Sequence, residues 1–233
     1  MIRTNRSATI GSIALILAGV VYFVTEAVAA SAWRSPRYSY AQNYVSDLGV
    51  TGPRETFLGH DILSPLASVM NAGFILNGVL ALAGIVLMVR FGSRPRAKAL
   101  WILAILFAVG ITLVGSFHGS LVSEKAGTLA FHFIGAPIAI LCGNAVAILA
   151  GISSRQFGVG RWFRPVMVVL GAAGILGLAA EILIIGGAPT FPAGIFERVA
   201  VYAILASQLV WGVTVLASTL RLRGSSDPLD PTA

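Results

Sequence analysis

Residues 66–90 read LASVMNAGFILNGVLALAGIVLMVR, and residues 99–119 read ALWILAILFAVGITLVGSFHG. The first run carries no charge before Arg90, and the second carries no Asp, Glu, Lys or Arg. A helix rises 1.5 Å per residue, so each run is long enough to cross roughly 30 Å of hydrocarbon. The residues between them hold Arg94, Pro95, Arg96 and Lys98. Two apolar runs of this length, joined by a short basic turn, read as a helical hairpin through a membrane.

The same pattern recurs at 8–29, 129–151, 166–187 and 194–219, which makes six spans. Composition agrees. Hydrophobic residues make up 57% of the 233 and charged residues 11%, against roughly a quarter charged in a soluble domain. Mean hydropathy is +0.88. So little charge cannot solvate a globular surface, which excludes a soluble enzyme and a disordered chain. The fold class is therefore all-α: a polytopic membrane protein, a six-transmembrane-helix bundle with a long first outer loop. Residues 1–220 form a single transmembrane domain, and 221–233 form a polar cytoplasmic tail expected to be disordered. Ser64-Pro65 is expected to cap the second span and Thr128 the fourth, with Pro165 and Pro192 just before the fifth and sixth.

Basic residues set the orientation. Arg3, Arg6, Arg90, Arg94, Arg96 and Lys98 fall on one side, together with Arg155, Arg161, Arg164, Arg221 and Arg223. Arg34, Arg37, Arg54, Lys125 and Arg198 fall on the other. The richer side is read as cytoplasmic, with both termini inside a multi-pass protein of the cytoplasmic (plasma) membrane. The net charge of +7 is thus mainly a topology label. No aromatic-basic interleaving suggests nucleic acid, so none is expected as a partner. Arg3, Arg6 and the stretch Ala27–Ala30 also fit a cleavable signal peptide as an alternative for the first span. The single Cys142 reads as a packing residue, and Gly171, Gly174 and Gly177 as a close-approach surface in the fifth span.

The acids are informative by position. Glu26, Asp47, Glu55, Asp61, Glu124, Glu181 and Glu197 all lie in outer loops or outer span ends, as do His60, His118 and His132. Ionisable groups within a span face a bundle interior or a wet cavity. Glu26, Asn43, Asn71, Glu181 and Arg198 are therefore expected to line an outward-facing polar pocket under the first loop. Asp47, His118 and His132 have the chemistry to hold a divalent metal such as zinc, which would activate water. In a catalytic reading His118 or His132 is base or ligand, Asp47 ligand or orienter, and Ser46 nucleophile or polar contact. The competing reading makes the same residues buried ion pairs and loop caps. Asn77, Asn144 and Gln208, deeper in the spans, read as interhelical hydrogen bonds.

In the long connection 31–64, Trp33, Tyr38, Tyr40 and Tyr44 suit a membrane interface. An interfacial helix is expected there, then a tight turn in which Ser46 and Asp47 cap backbone and Gly49 takes a left-handed conformation. The run Asn43-x-x-Ser46-Asp47-Leu48-Gly49 after a first span resembles the bacterial and archaeal membrane family known as domain of unknown function 998. So do Asn71-x-x-Phe74-x-x-Asn77-Gly78, and His132-x-x-Gly135-Ala136 running to Gly143-Asn144. The resemblance implies six helices with both termini inside, and faintly favours lipid-linked work; it implies no established activity. Three functions compete. The first is binding or hydrolysis of a lipid or envelope intermediate. The second is a non-catalytic subunit or assembly factor, with a membrane-protein partner or a homo-oligomer. The third is a small-solute transporter.

Overall fold

The computed structural model describes residues 5–90, 94–187 and 192–224. Arg3 and the tail from residue 225 lie outside the described residues. Six helices are long and apolar enough to span a bilayer. They are α1 (Asn5–Ala32), α2 (Ala67–Met88), α3 (Pro95–Ser116), α5 (Leu129–Ile152), α6 (Phe163–Ile185) and α7 (Ala193–Gly224), with the short α4 (Leu121–Lys125) between α3 and α5. Neighbours in the chain pack side by side, and α1 closes on α7, so the six form a ring. The outer surface is apolar: Ile102, Val169 and Leu176 are 57%, 65% and 69% exposed. Such a surface belongs in a lipid bilayer, which places the chain among integral membrane proteins.

The ring is tight because its seams carry glycine. A Cβ on Gly11 of α1 would stand 2.7 Å from the Gly84 carbonyl of α2, and one on Gly212 of α7 2.7 Å from the Ser12 carbonyl of α1. Of the three glycines in α6, Gly171 and Gly174 lie against Asn144 of α5, and Gly177 lies 2.8 Å, by its missing Cβ, from the Ala200 nitrogen of α7. Polar groups in mid-span pair between helices. Asn77 Nδ2 donates to the Ala18 carbonyl and to Gln208 Oε1, both at 2.9 Å. Asn144 Nδ2 donates to the Ile140 and Ala200 carbonyls.

The helix ends correct several expectations. Ser64 does not cap α2; its hydroxyl donates to the Leu48 carbonyl at 2.6 Å, tying the first loop to the bundle. Thr128 stands at the N-cap position of α5, but its hydroxyl donates to the Ser123 carbonyl rather than capping an α5 N–H. Pro165 sits inside the first turn of α6, where an N–H has no helical partner to lose. Helix α7 continues past residue 220 to Gly224, so the expected tail begins in helix.

The first loop is folded, and not as an interfacial helix. After a turn at Ser35-Pro36 it carries the 3₁₀ turn Ser46–Gly49, then a hairpin of β1 (Glu55–Phe57) and β2 (His60–Ile62). Leu58 and Gly59 make the hairpin tip, with φ of 48° and 79°. Trp33, Tyr38 and Tyr44 are buried, and Tyr40 is exposed. Gly49 is needed for closeness rather than for a left-handed φ: the Asn71 side-chain oxygen occupies the place its Cβ would take.

Candidate functional site

Two consecutive residues of α7 hold the first loop down. Residues i and i+1 on a helix point about 100° apart, so they serve different parts of the loop. The Glu197 carboxylate accepts the N–H groups of Val45 and Ser46, at the start of the 3₁₀ turn. The Arg198 guanidinium donates to the Tyr40, Asn43 and Gly194 carbonyls at 2.6, 2.8 and 3.1 Å. Its second terminal nitrogen donates to Glu26 at 3.2 Å and to the Tyr38 hydroxyl. Tyr202 donates to both Glu26 oxygens at 2.9 Å. Glu26 is only 2% exposed, and a buried carboxylate without such partners would be very costly. Burial pushes the Tyr38 phenol well above its ordinary pKa, so it stays protonated and donates onward to the Tyr44 carbonyl at 2.9 Å.

Beside this clamp lies a cavity of about 130 Å³. Its lower wall is apolar: Phe133, Pro137 and Ile140 from α5, and Leu178, Ile182 and Ile185 from α6. Phe133 and Ile182 are also 43% and 57% exposed, so the cavity borders the lipid-facing seam between α5 and α6. Its roof comes from the loop, with Tyr44, Ser46, Asp47, Phe57 and Leu58. Three carboxylates line it: Asp47, Glu181 and Glu197. Among the described residues, no Lys or Arg does.

The polar atoms are mostly acceptors. His132 Nδ1–H donates to the Phe117 carbonyl at 2.9 Å, which leaves Nε2 with a lone pair, on the side of Gly119, another lining residue. Pro137 has no N–H to offer the Phe133 carbonyl one turn back. Glu181 Oε2 is buried with no hydrogen-bond partner among the described residues. Asp47 accepts the Tyr44 N–H at 2.9 Å and the Asn43 amide at 3.5 Å. Burial pushes the Tyr44 phenol up, and Glu181, Glu197 and Asp47 push it the same way, so it is held as a donor.

The remaining expected site residues gather elsewhere. Asn71 Nδ2 donates to the Gly49 carbonyl at 2.8 Å and to His118 Nε2 at 3.0 Å. His118 Nδ1 then carries the proton and faces the Thr51 hydroxyl at 3.4 Å. Burial pushes the His118 imidazole below its ordinary pKa, so it is neutral. Thus Asn71 and His118 form a strut, Glu26 and Arg198 the clamp, and Ser46, Asp47, His132 and Glu181 the cavity wall. Among the described residues no three His, Cys, Asp or Glu gather as metal ligands. Nor does a hydrogen bond join the Ser46 hydroxyl to either histidine among them. Glu197, which holds the roof and lines the cavity, stands in the sequence only as one of the outer acids, beside a cation at the start of a span.

The family described as protein of unknown function, DUF998, matches residues 5–214. The chain belongs to this family. Comparisons with curated proteins and with solved structures find no match. Family membership therefore supplies no chemistry, and the reading of the cavity rests on its own atoms.

Proposed function

We propose that the protein binds an amphiphilic lipid in this cavity, at the outer leaflet of the cytoplasmic membrane. In this reading residues 1–220 act as one transmembrane unit with both termini in the cytoplasm, as the bias of basic residues supports. The chain of the lipid lies in the α5–α6 seam, and its head reaches the roof. One observation carries the proposal: an apolar wall ending in three carboxylates, a histidine lone pair and, among the described residues, no cation. A head rich in donors, an amine or a hydroxylated sugar, satisfies these acceptors, whereas an anionic phosphate is repelled. Beyond Glu197 and Ser46 a void of about 40 Å³ adjoins the cavity, followed by one of about 10 Å³. This narrowing favours a dead-end site over a transport path.

Three probes with one chain test it: hexadecylamine, hexadecyl glucoside and hexadecyl phosphate, bound to purified protein in mild detergent. The amine and glucoside bind at least about tenfold more tightly than the phosphate. Ala136→Phe, at a small residue of α5 that also lines the cavity, weakens both; Glu181→Gln weakens the amine more than the glucoside. Equal affinity for all three heads, or no effect of Ala136→Phe, sinks the reading.

The subunit reading draws on α6, whose apolar window is only 22% covered within the chain against 44–50% for the other spans. A partner or second copy could seat there. A stoichiometric partner on mild-detergent isolation would favour it.

A further inference from the structure

On the other flank of the clamp is an open groove of about 480 Å³, between the last turn of α1 and the start of the first loop. Ala27, Ala30 and Ser31 form its α1 side, and Trp33, Tyr38 and Tyr40 its aromatic floor. Its only charged lining residues are Arg34 and Arg37. These two pair across an antiparallel bridge, closed by the Tyr38 N–H to the Trp33 carbonyl at 3.2 Å. Directly paired residues in an antiparallel bridge project to the same face, with their Cβ atoms about 5 Å apart. The two arginine side chains therefore leave the bridge on one face. Both are exposed, and no acid pairs with either among the described residues. Like charges directly opposite are unfavourable unless an anion lies between them.

We propose that this groove is a phosphate-binding site, with Arg34 and Arg37 as paired ligands. Arginine offers a planar fork of donors that matches phosphate oxygens, and two forks on one face can bridge a single phosphate group. The Tyr40 hydroxyl, with no partner among the described residues and its residue 48% exposed, is a further donor at the rim. Arg198 lies behind the floor, its guanidinium 5.5 Å from the Tyr38 ring centre and 4.9 Å from that of Tyr40. The groove starts where α1 ends, which is the level of lipid phosphates when a helix spans the hydrocarbon. The same chemistry would also take free phosphate.

The test uses the full chain in mild detergent and reads the unfolding temperature with three probes: dioctanoyl phosphatidylglycerol, dioctanoylglycerol and inorganic phosphate. Phosphatidylglycerol raises the midpoint, dioctanoylglycerol does not, and the rise falls off as salt increases. A rise with inorganic phosphate equal to that with phosphatidylglycerol assigns the site to free phosphate; a much smaller one assigns it to a lipid head. The double variant Arg34→Gln with Arg37→Gln keeps the probe-free midpoint and loses the rise, as does Arg37→Glu. Arg161→Gln, an exposed cation at the opposite end, keeps it. The proposal is overturned if dioctanoylglycerol gives the same rise, if the Gln pair still responds, or if no probe shifts the midpoint.

Discussion

The cavity and the groove flank one clamp, yet they are opposite in charge and in burial. The cavity holds its acids at low exposure, 5% for Asp47 and 7% for Glu197, where the dielectric is low and salt screens little. The groove holds its arginines in the open, where each interaction is weak and screened. Charge that must discriminate is buried; charge that only attracts is left wet. The two are separated by one step along α7, from Glu197 to Arg198. The comparison predicts salt-insensitive selectivity in the cavity and salt-sensitive attraction at the groove.

The largest effect should come from removing the divider. Arg198→Met leaves the Glu26 carboxylate buried without its cation, and the loop carbonyls of Tyr40 and Asn43 without their donor. Breaking a buried pair from one side costs about 3–5 kcal/mol. Unfolding of detergent-solubilised protein by SDS titration measures it, and both the cavity and the groove should lose their ligands together. Adding Glu26→Gln should restore part of the loss. A cost within about 0.5 kcal/mol, as for an ordinary surface change, would break the idea that one arginine organises both sides.

Glu197→Gln should act on one side only. It keeps the shape but weakens two charge-assisted bonds to Val45 and Ser46, at about 1.5–3 kcal/mol. Alkyl-amine binding at the cavity falls, while the groove's response to phosphatidylglycerol stays. Loss of both responses would show that the two regions are not separable.

Much of this arrangement was legible in the sequence, for a physical reason. A bilayer tolerates only long apolar helices with satisfied backbone, so the six spans follow from hydropathy alone. The polar residues at the loop end were also legible, because charge within a span demands a partner. How they divide was not. Glu26 pairs with Arg198 and Tyr202 of α7, and His118 with Asn71 of α2, whereas Asp47, Glu181 and His132 line the cavity. Ser64 and Thr128 look like helix caps, but the loop and a local turn make better use of their hydroxyls. The hairpin escaped notice because its tip is Leu58-Gly59 rather than Asn-Gly, and a leucine at φ 48° carries no sequence signal.

The strut offers a smaller, pH-dependent effect. His118 is neutral in the folded protein because burial lowers its pKa, while an unfolded histidine titrates near 6.5. The folded state therefore binds fewer protons in that range. Its contribution to stability is complete above about pH 6.5 and is lost as pH falls through the folded value. The unfolding midpoint should drop on acidification, and His118→Gln should flatten that drop while costing about 1 kcal/mol through the Asn71 bond. An unchanged pH profile in the variant would show that the drop does not come from His118.

The smallest effect is expected from an exposed ion pair in the first loop. Arg54 and Asp61 meet at 2.6 Å, but their side chains are 53% and 46% exposed. The Arg54 hydrogen bond, then that of Thr56, holds the Asp61 carboxyl below its ordinary pKa of 3.8. A carboxyl lowered in this way stabilises the fold above that value and loses its effect as pH falls through the lowered one. Water screens both partners, so Arg54→Ala should leave the unfolding midpoint at neutral pH where it was, and leave both ligand responses intact. It serves as the exposed counterpart of Arg198→Met: same charge removed, opposite burial. If Arg54→Ala destabilised as much as Arg198→Met, burial would not be what separates the clamp from the rest of the loop.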